Sequence, residues 1–160
     1  MLAIHEETML TAGVKAPEFS LPADDGTTVT LAGLKGRPVV LYFYPKDDTS
    51  GCTKQACGFR DSWADVQKTG AVVLGVSPDG VASHQKFKRK YTLPFPLLAD
   101  TDHRVAAAYG AWGEKSMYGK RYMGILRTTF IIDAQGRIAR VFEKVKPEGH
   151  AADVLTALRV

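Results

Sequence analysis

Residues 42–61 read YFYPKDDTSGCTKQACGFRD and join the end of an apolar run to the start of a helical pattern. The stretch contains both cysteines of the chain, Cys52 and Cys57. Because Thr49 or Ser50 can cap a helix that begins here, Cys52 is expected in the first helical turn. Free backbone N–H groups and the helix dipole stabilise an anion in that turn, which lowers the pKa of a thiol. Cys52 is therefore the candidate nucleophile.

The five-residue spacing of the cysteines predicts that they cannot bond while both are helical. Five residues of ideal helix separate two Cα atoms by about 8.6 Å, whereas a disulfide tolerates at most about 7 Å. Gly58 destabilises the same helix by up to about 1 kcal/mol relative to alanine, and Thr53 adds a smaller penalty. A redox cycle between these thiols would therefore require the first turns to unwind, and it would act as a local unfolding switch.

Length and charge favour one domain and give no sign of a nucleic-acid surface. The chain has 160 residues, 45% of them hydrophobic, which suffices for one domain with a proper core. Its net charge is +4, but the basic residues are interleaved with 17 acidic ones. The densest basic run, 86–90, lies on a predicted helix, where a solvated face is a simpler interpretation than a nucleic-acid or membrane patch. We expect neither nucleic acid nor a membrane as a partner.

The beginning of the chain, MLAIHEETMLTA, carries His5, Glu6 and Glu7 where a secretory leader would be most apolar, so no signal peptide is expected. No run approaches the roughly eighteen apolar residues of a membrane span. We expect a cytoplasmic protein with a flexible extension over residues 1–12 and a single domain over residues 13–160. In a reducing compartment, two cysteines indicate reactivity or metal binding more often than a structural crosslink.

Metal binding is the weaker interpretation of the two cysteines. A zinc site needs about four ligands, commonly in CxxC or HxxxH spacing. The two cysteines do not combine with the four histidines into such a cluster in sequence; the histidines are His5, His84, His103 and His150. We therefore expect no metal, and we interpret the histidines as surface or hydrogen-bonded residues.

Hydrophobic patterns predict an α/β chain with a mixed central sheet, flanking helices and an N-terminal β-hairpin. In order, the predicted elements are a hairpin (17–21 and 27–31), a helical turn or loop (31–36), a buried central strand (38–44), a helix ending at Thr69 and Gly70, a strand (71–76), a basic helix ending near Tyr91, a strand (95–99), a short helix (102–109), a long connection (110–126), a second hairpin (128–133 and 137–143) and a closing helix (151–159). The connection has no clear period and is predicted to be a functional or packing loop. This order of elements matches a thioredoxin-like fold.

Pro45, Thr49 and Cys52 spell PxxxTxxC directly after the predicted central strand, and this motif resembles the active-site signature of the peroxiredoxins. With Cys57 five residues later on the same helix, the chain resembles the Q-type branch, also called bacterioferritin comigratory proteins. The likeness runs from KAPEFSLP through the cysteine motif to GILRTTFIID and VKPEGH, so it covers essentially all of the chain after about residue 12. Ser50 is a departure, because this branch usually has proline there; the change loosens the loop and removes no chemical group.

The resemblance implies a thiol peroxidase that reduces hydrogen peroxide and organic hydroperoxides to water or alcohols. It implies that Cys52 becomes a sulfenic acid and that Cys57 resolves it as an intramolecular disulfide, which thioredoxin or a similar dithiol reduces. It also implies that Thr49 orients the peroxide, Pro45 shields the pocket and Arg127 holds thiolate and peroxide together. A guanidinium suits that role because it is always charged and offers several donors. The resemblance favours a monomer and requires no cofactor.

These assignments have structural alternatives. Without the resemblance, either thiol could be an inert buried residue, Thr49 a simple helix cap and Arg127 a partner in an ion pair at the rim. Two other function classes also stay open. One is a thioredoxin-type disulfide reductase, although that chemistry normally uses CxxC, and the other is a redox sensor or holdase that binds a partner when its helix unwinds. Repeated turnover of peroxide with thioredoxin would distinguish the enzyme from both.

Overall fold

A computed structural model describes residues 10–159 and contains a five-stranded mixed sheet, two small hairpins and five helices. The strands are β1 (Ser20–Pro22), β2 (Thr28–Thr30), β3 (Val39–Phe43), β4 (Val72–Ser77), β5 (Leu97–Ala99), β6 (Trp112–Met117), β7 (Lys120–Ile125), β8 (Thr128–Ile132) and β9 (Ile138–Phe142). The helices are α1 (Ser50–Asp61), α2 (Trp63–Lys68), α3 (Val81–Tyr91), α4 (Arg104–Ala108) and α5 (His150–Leu158).

The central sheet has the strand order β5-β4-β3-β8-β9, with β3 in the middle. Strands β3, β4 and β5 run parallel, whereas β8 and β9 are antiparallel to their neighbours. All five residues of β3 are buried. An apolar, β-branched and aromatic strand without polar alternation is typical of this position, because both of its faces are covered. The predicted central strand and the thioredoxin-like architecture are confirmed.

The two faces of β3 contribute to two separate hydrophobic cores, because successive side chains of a strand point to opposite sides. Val39, Leu41 and Phe43 pack with the N-terminal hairpin, α4 and part of the β6–β7 hairpin. Val40 and Tyr42 pack on the other side with α1, α2, α3 and α5. Cys52 belongs to this second core and therefore sits against the sheet.

Two predictions about the elements were wrong. The single helix expected to end at Thr69 is interrupted at Ser62, which separates α1 from α2. The Ser62 side chain makes no capping hydrogen bond, and the break is accompanied by packing of Trp63 on the buried Phe95 ring, with the ring centroids 5.9 Å apart.

The second correction concerns residues 110–126, which form the antiparallel β6–β7 hairpin rather than a loop. Tyr118 and Gly119 make its two-residue turn, and both have positive φ, as tight hairpin turns require. Most side chains of this hairpin are exposed, and Tyr118 is 96% exposed. Since neither face of the hairpin is fully buried, the sequence lacks the apolar alternation that identifies a strand.

The other predicted elements are confirmed to within a few residues, including both hairpins, the short turn at Ala32–Leu34 and the closing helix. The flexible extension predicted for residues 1–12 falls mostly on residues 1–9, which lie outside the described residues, and so does His5. The division into an extension and a single domain stays a prediction. Between residues 10 and 159, no helix combines the length and the apolar character needed to cross a bilayer.

Candidate active site

Cys52 lies in the first turn of α1 and belongs to the same hydrophobic core as Val40 and Tyr42 of β3. Thr49 is the N-cap of the helix, and the Cys52 side chain is 1% exposed. Cys57 lies on the same helix and is half-buried, and both thiols are free. Burial raises the pKa of the Cys57 thiol, while the nearby Arg60 opposes this effect. The two cysteines therefore stand in one intact helix, as their spacing predicts for unbonded thiols.

Arg127 brings a positive charge to the Cys52 sulfur from the residue just before β8. Its Nη2 lies 3.5 Å from Cys52 Sγ, and its Nη1 donates to Gln55 Oε1 at 2.7 Å. Gly51 makes room for this approach, since a Cβ at that position would lie 3.3 Å from Nη2. The arginine predicted from the resemblance is thus in contact with the predicted nucleophile.

Gln55 is a site residue that received no role in the sequence analysis. It is 1% exposed, and its Nε2 has no hydrogen-bond partner among the described residues. Gln55 lies three residues after Cys52, a spacing that places two side chains on the same helix face. This spacing was the available signal, because a polar residue on the buried face of a helix needs a partner. The partner, Arg127, is 72 residues away in sequence.

Thr49 and Pro45 lie in the loop between β3 and α1. Thr49 is the N-cap by position, with φ −91° and ψ 160°, but its side chain makes no capping hydrogen bond. The hydroxyl instead donates to the carbonyl of Lys46 at 2.9 Å, which leaves its oxygen lone pairs available as acceptors. Pro45 is half-buried at the end of the central strand. The side-chain cap considered for Thr49 is therefore not formed.

A second cation, Lys115 on β6, was also not anticipated. Its side chain is half-buried. Burial lowers the pKa of Lys115, the charge of Arg127 lowers it further, and Cys52 acts in the opposite direction. The β6–β7 hairpin thus contributes to the electrostatic environment of the sulfur, which a sequence interpretation of residues 110–126 as a loop could not indicate.

Asp47, in the loop between β3 and α1, belongs to a group of possible metal ligands that the sequence spacing did not indicate. Oxygen or nitrogen atoms of Asp47, Asp79 and His84 lie within 4.8 Å of one another. These atoms already have partners. Asp47 Oδ2 contacts His84 Nδ1 and accepts from Ser83 Oγ, while Asp79 Oδ2 accepts from Ser77 Oγ and the Asp47 backbone N–H. The donor set fits a buried hydrogen-bond network better than a cation site.

Comparison with known proteins gives a consistent result. A family model described as the AhpC/TSA family matches residues 12–141. Peroxiredoxin Bcp of Bacillus subtilis is 50% identical over 147 residues, covering 92% of this chain and 94% of the relative. Peroxiredoxin Bcp of Escherichia coli K12 is 48% identical over 150 residues, covering 94% and 96%.

A solved structure of Xanthomonas campestris peroxiredoxin Q superposes with a TM-score of 0.87 at 40% identity, covering 92% of this chain and 96% of that one. Another structure is described as that of the X. campestris bacterioferritin comigratory protein and concerns its alkyl peroxide reduction activity. It matches with a TM-score of 0.87 at 39% identity, covering 93% and 98%.

Proposed function

The chain belongs to the AhpC/TSA family and is a Q-type peroxiredoxin, hence a thiol peroxidase, and we propose that Cys52 is the thiol that attacks the peroxide. The observation that carries this proposal is the 3.5 Å contact between Arg127 Nη2 and Cys52 Sγ in the first turn of α1. The guanidinium and the helix N-terminus both place positive charge at the sulfur, and the thiolate is the nucleophilic form of cysteine.

In the proposed reaction, the Cys52 thiolate attacks one peroxide oxygen and the O–O bond breaks. Cys52 becomes a sulfenic acid, and the departing oxygen takes a proton and leaves as water or an alcohol. Arg127 stabilises the charge that develops on the departing oxygen, because its donors already point into the site. Thr49 accepts a hydrogen bond from the peroxide O–H, and Pro45 covers the sulfur from the side of the loop.

Cys57 is the proposed resolving thiol. Its thiolate attacks the sulfur of the Cys52 sulfenic acid, the S–S bond forms, and the S–O bond breaks to release hydroxide, which takes a proton from solvent to become water. In the folded helix the pKa of Cys57 is raised by burial, which makes the thiol a poor nucleophile there. Unwinding of α1 would remove that burial and bring the two sulfurs within bonding distance. One conformational change therefore supplies both proximity and reactivity.

Recycling of the proposed disulfide requires an external dithiol, and we propose thioredoxin or a similar protein. Reaction within one chain needs no second subunit, which agrees with the expected monomer. A reducing compartment such as the cytoplasm would maintain the supply of dithiol. The chemistry uses only the protein thiols and hydroperoxide substrates, both hydrogen peroxide and organic ones, and calls for no cofactor.

The test is intact mass spectrometry after one equivalent of hydrogen peroxide. The parent protein should lose two hydrogens, mapped to Cys52 and Cys57, and thioredoxin should restore them. Cys57→Ser should gain one oxygen at Cys52 and then stop, whereas Cys52→Ser should not consume peroxide. The two variants make the same substitution in the same helix, so each controls for the other. Peroxide consumption by Cys52→Ser would reverse the assigned roles, and a parent that stops at the sulfenic acid would remove Cys57 from the reaction.

A further inference from the structure

The loop of residues 45–49, which carries Pro45 and Thr49, is bonded to α3 by two consecutive aspartates. Asp48 accepts from Lys90 Nζ and from Tyr91 Oη, both at 2.8 Å, near the end of α3. Asp48 is exposed and has φ +59°, so these bonds hold a backbone conformation that few residues adopt. Asp47 faces the other way and is buried against the beginning of the same helix.

Asp47 is almost completely surrounded by donors. Tyr44 Oη donates to Oδ1 at 2.6 Å, and Ser83 Oγ donates to Oδ2 at 2.8 Å. The closest polar contact of Oδ2 is His84 Nδ1 at 2.7 Å, and the His84 side chain is 0% exposed. The backbone N–H of Asp47 donates to Asp79 Oδ2 at 2.8 Å. The loop is thus bonded through both its main chain and a buried side chain.

The contacts of His84 determine how many protons the pair holds. Nε2 lies 2.9 Å from the carbonyl of Leu98, which can only accept, so Nε2 carries a hydrogen. The 2.7 Å contact between Nδ1 and Asp47 Oδ2 needs a further proton, whether it resides on the ring or on the carboxyl group. In both distributions the pair has no net charge, and every polar atom of the ring is used. A buried pair with this geometry fixes the positions of both side chains.

We propose that His84 is a positioning residue for peroxide reduction: paired with Asp47, it holds the 45–49 loop on α3 and thereby fixes Pro45 and Thr49 beside Cys52. The proposal rests on the proposed role of Cys52. It assigns to α3 a part in the active site, although no residue of α3 is assigned to the reacting atoms. It also explains why a histidine is completely buried in a hydrogen-bond network that the peroxide chemistry itself does not use.

The first experiment compares two reactions of Cys52 in the reduced parent and in His84→Leu. Alkylation by iodoacetamide requires an accessible thiolate, whereas reaction with hydrogen peroxide also requires the geometry of the loop. We expect His84→Leu to lower the kcat/KM for hydrogen peroxide at least tenfold without slowing the alkylation, because release of the loop uncovers the Cys52 sulfur. A peroxide rate equal to that of the parent, or an equal slowing of both reactions, would overturn the proposal.

Asp47→Asn is a conservative variant that should keep the loop on α3 and so preserve peroxide reduction. The asparagine amide can donate to Nδ1 of a neutral His84, whose Nε2 still donates to Leu98, so peroxide reduction should stay within about threefold of the parent rate. Lys88→Met is the matched control. It removes a 2.8 Å ion pair between α3 and the buried Asp24, which does not belong to the 45–49 loop, and it should leave peroxide reduction unchanged. If Lys88→Met slows peroxide reduction as strongly as His84→Leu does, any disturbance of α3 has this effect, and the specific role proposed for His84 is overturned.

If His84→Leu does not fold, the double variant Asp47→Ala/His84→Leu leaves neither partner buried alone. It should show the same selective loss of peroxide reduction, and parent-like peroxide reduction would overturn the proposal. The parent protein separates this proposal from the proposed function: if peroxide does not consume the Cys52 thiol of the parent, the role of Cys52 fails before any loop variant is compared.

Discussion

Arg127 contacts two side chains of α1, those of Cys52 and Gln55. Replacing any one of these three residues would break the arrangement. Nη2 lies beside Cys52 Sγ, while Nη1 is held by Gln55 Oε1. The glutamine holds one end of the planar guanidinium, and the other end is directed at the sulfur. A lysine has a single ammonium group and could not make both contacts with the same geometry.

Arg127→Ala should slow the reaction of Cys52 with peroxide more than tenfold, which corresponds to about 1.4 kcal/mol or more of transition-state stabilisation. The reason is the loss of the positive charge beside the thiolate and the departing oxygen. The measurement is stopped-flow reduction of hydrogen peroxide by the reduced protein. Arg121→Ala is the control, because Arg121 is an exposed arginine of the β6–β7 hairpin that pairs with Glu114 at 3.8 Å. A rate for Arg127→Ala within twofold of the parent would reduce Arg127 to a structural residue.

The residues of the site differ in how far they could be predicted from sequence. The position of Cys52 in a first helical turn follows from local signals alone: an apolar strand, a capping residue and a helical pattern within twenty residues. Arg127 could be named only through the resemblance, since 75 residues separate it from Cys52. Gln55 and His84 were not assigned to the site. The spacing of Gln55 from Cys52 was a local signal, but the partners of Gln55 and His84 lie 72 and 37 residues away in sequence, and no local pattern identifies them.

At the scale of elements, α1 combines a buried first turn, which contains Cys52, with a composition that disfavours a helix. Gly58 lies one residue beyond Cys57, and the helix ends three residues later at Asp61, just before the break at Ser62. Between α1 and α5 there is room for a methyl group at Gly58, since an added Cβ would lie 3.6 Å from the Ala151 Cβ, an ordinary contact distance. The helix can therefore be stabilised at Gly58 without a clash.

Gly58→Ala should stabilise α1 and slow the formation of the Cys52–Cys57 disulfide. Alanine is favoured over glycine in a helix interior by up to about 1 kcal/mol, so unwinding should become up to about fivefold less frequent. Disulfide formation can be followed by quenched-flow mass spectrometry after sulfenic acid formation, which should keep its rate. Gly80→Ala is the control, because Gly80 precedes α3, has negative φ and has open space around its Cα. Equal resolution rates in Gly58→Ala and the parent would mean that unwinding of α1 does not limit the reaction.

Elements with a buried face could be predicted from sequence, and those without one could not. Strands β3 and β4 carry uninterrupted apolar runs because both of their faces are covered. The β6–β7 hairpin has no such pattern, since it projects from the sheet and exposes Met117, Tyr122 and Met123. The break at Ser62 was equally hidden, because Phe59, Trp63 and Val66 keep helical spacing across it. The break is accompanied by packing of Trp63 against Phe95, which comes from a distant part of the chain.

At the scale of the whole molecule, His150 lies where the sheet, α1 and α5 meet. Its Nε2 contacts Thr129 Oγ1 of β8 at 2.8 Å, and its ring packs edge-on against Phe59 of α1 and Phe142 of β9. The residue is 3% exposed. Burial lowers the pKa of His150 to about 4, and the charge of Arg127 contributes in the same direction while Asp153 opposes it. The core on this side of the sheet therefore contains a neutral histidine.

His150 should make its own contribution to the pH dependence of the folding free energy. An exposed histidine in the unfolded chain has a pKa of about 6.5. As the pH falls from about 6.5 towards about 4, the unfolded state binds a proton that the folded state does not, so stability is full above this window and is lost within it. The shift of the His150 pKa to about 4 corresponds to a loss of about 3 kcal/mol across the window.

His150→Gln isolates this contribution, because glutamine can keep a hydrogen bond to Thr129 and does not titrate in this range. Urea unfolding of the reduced parent and the variant should give free energies whose difference changes by about 3 kcal/mol between pH 7 and pH 4, since the carboxylates titrate alike in both proteins. His103→Gln controls for a histidine outside this core: its ring stacks on Trp112 at 3.7 Å. If the parent and His150→Gln lose stability in parallel as the pH falls, protonation of His150 does not destabilise this core.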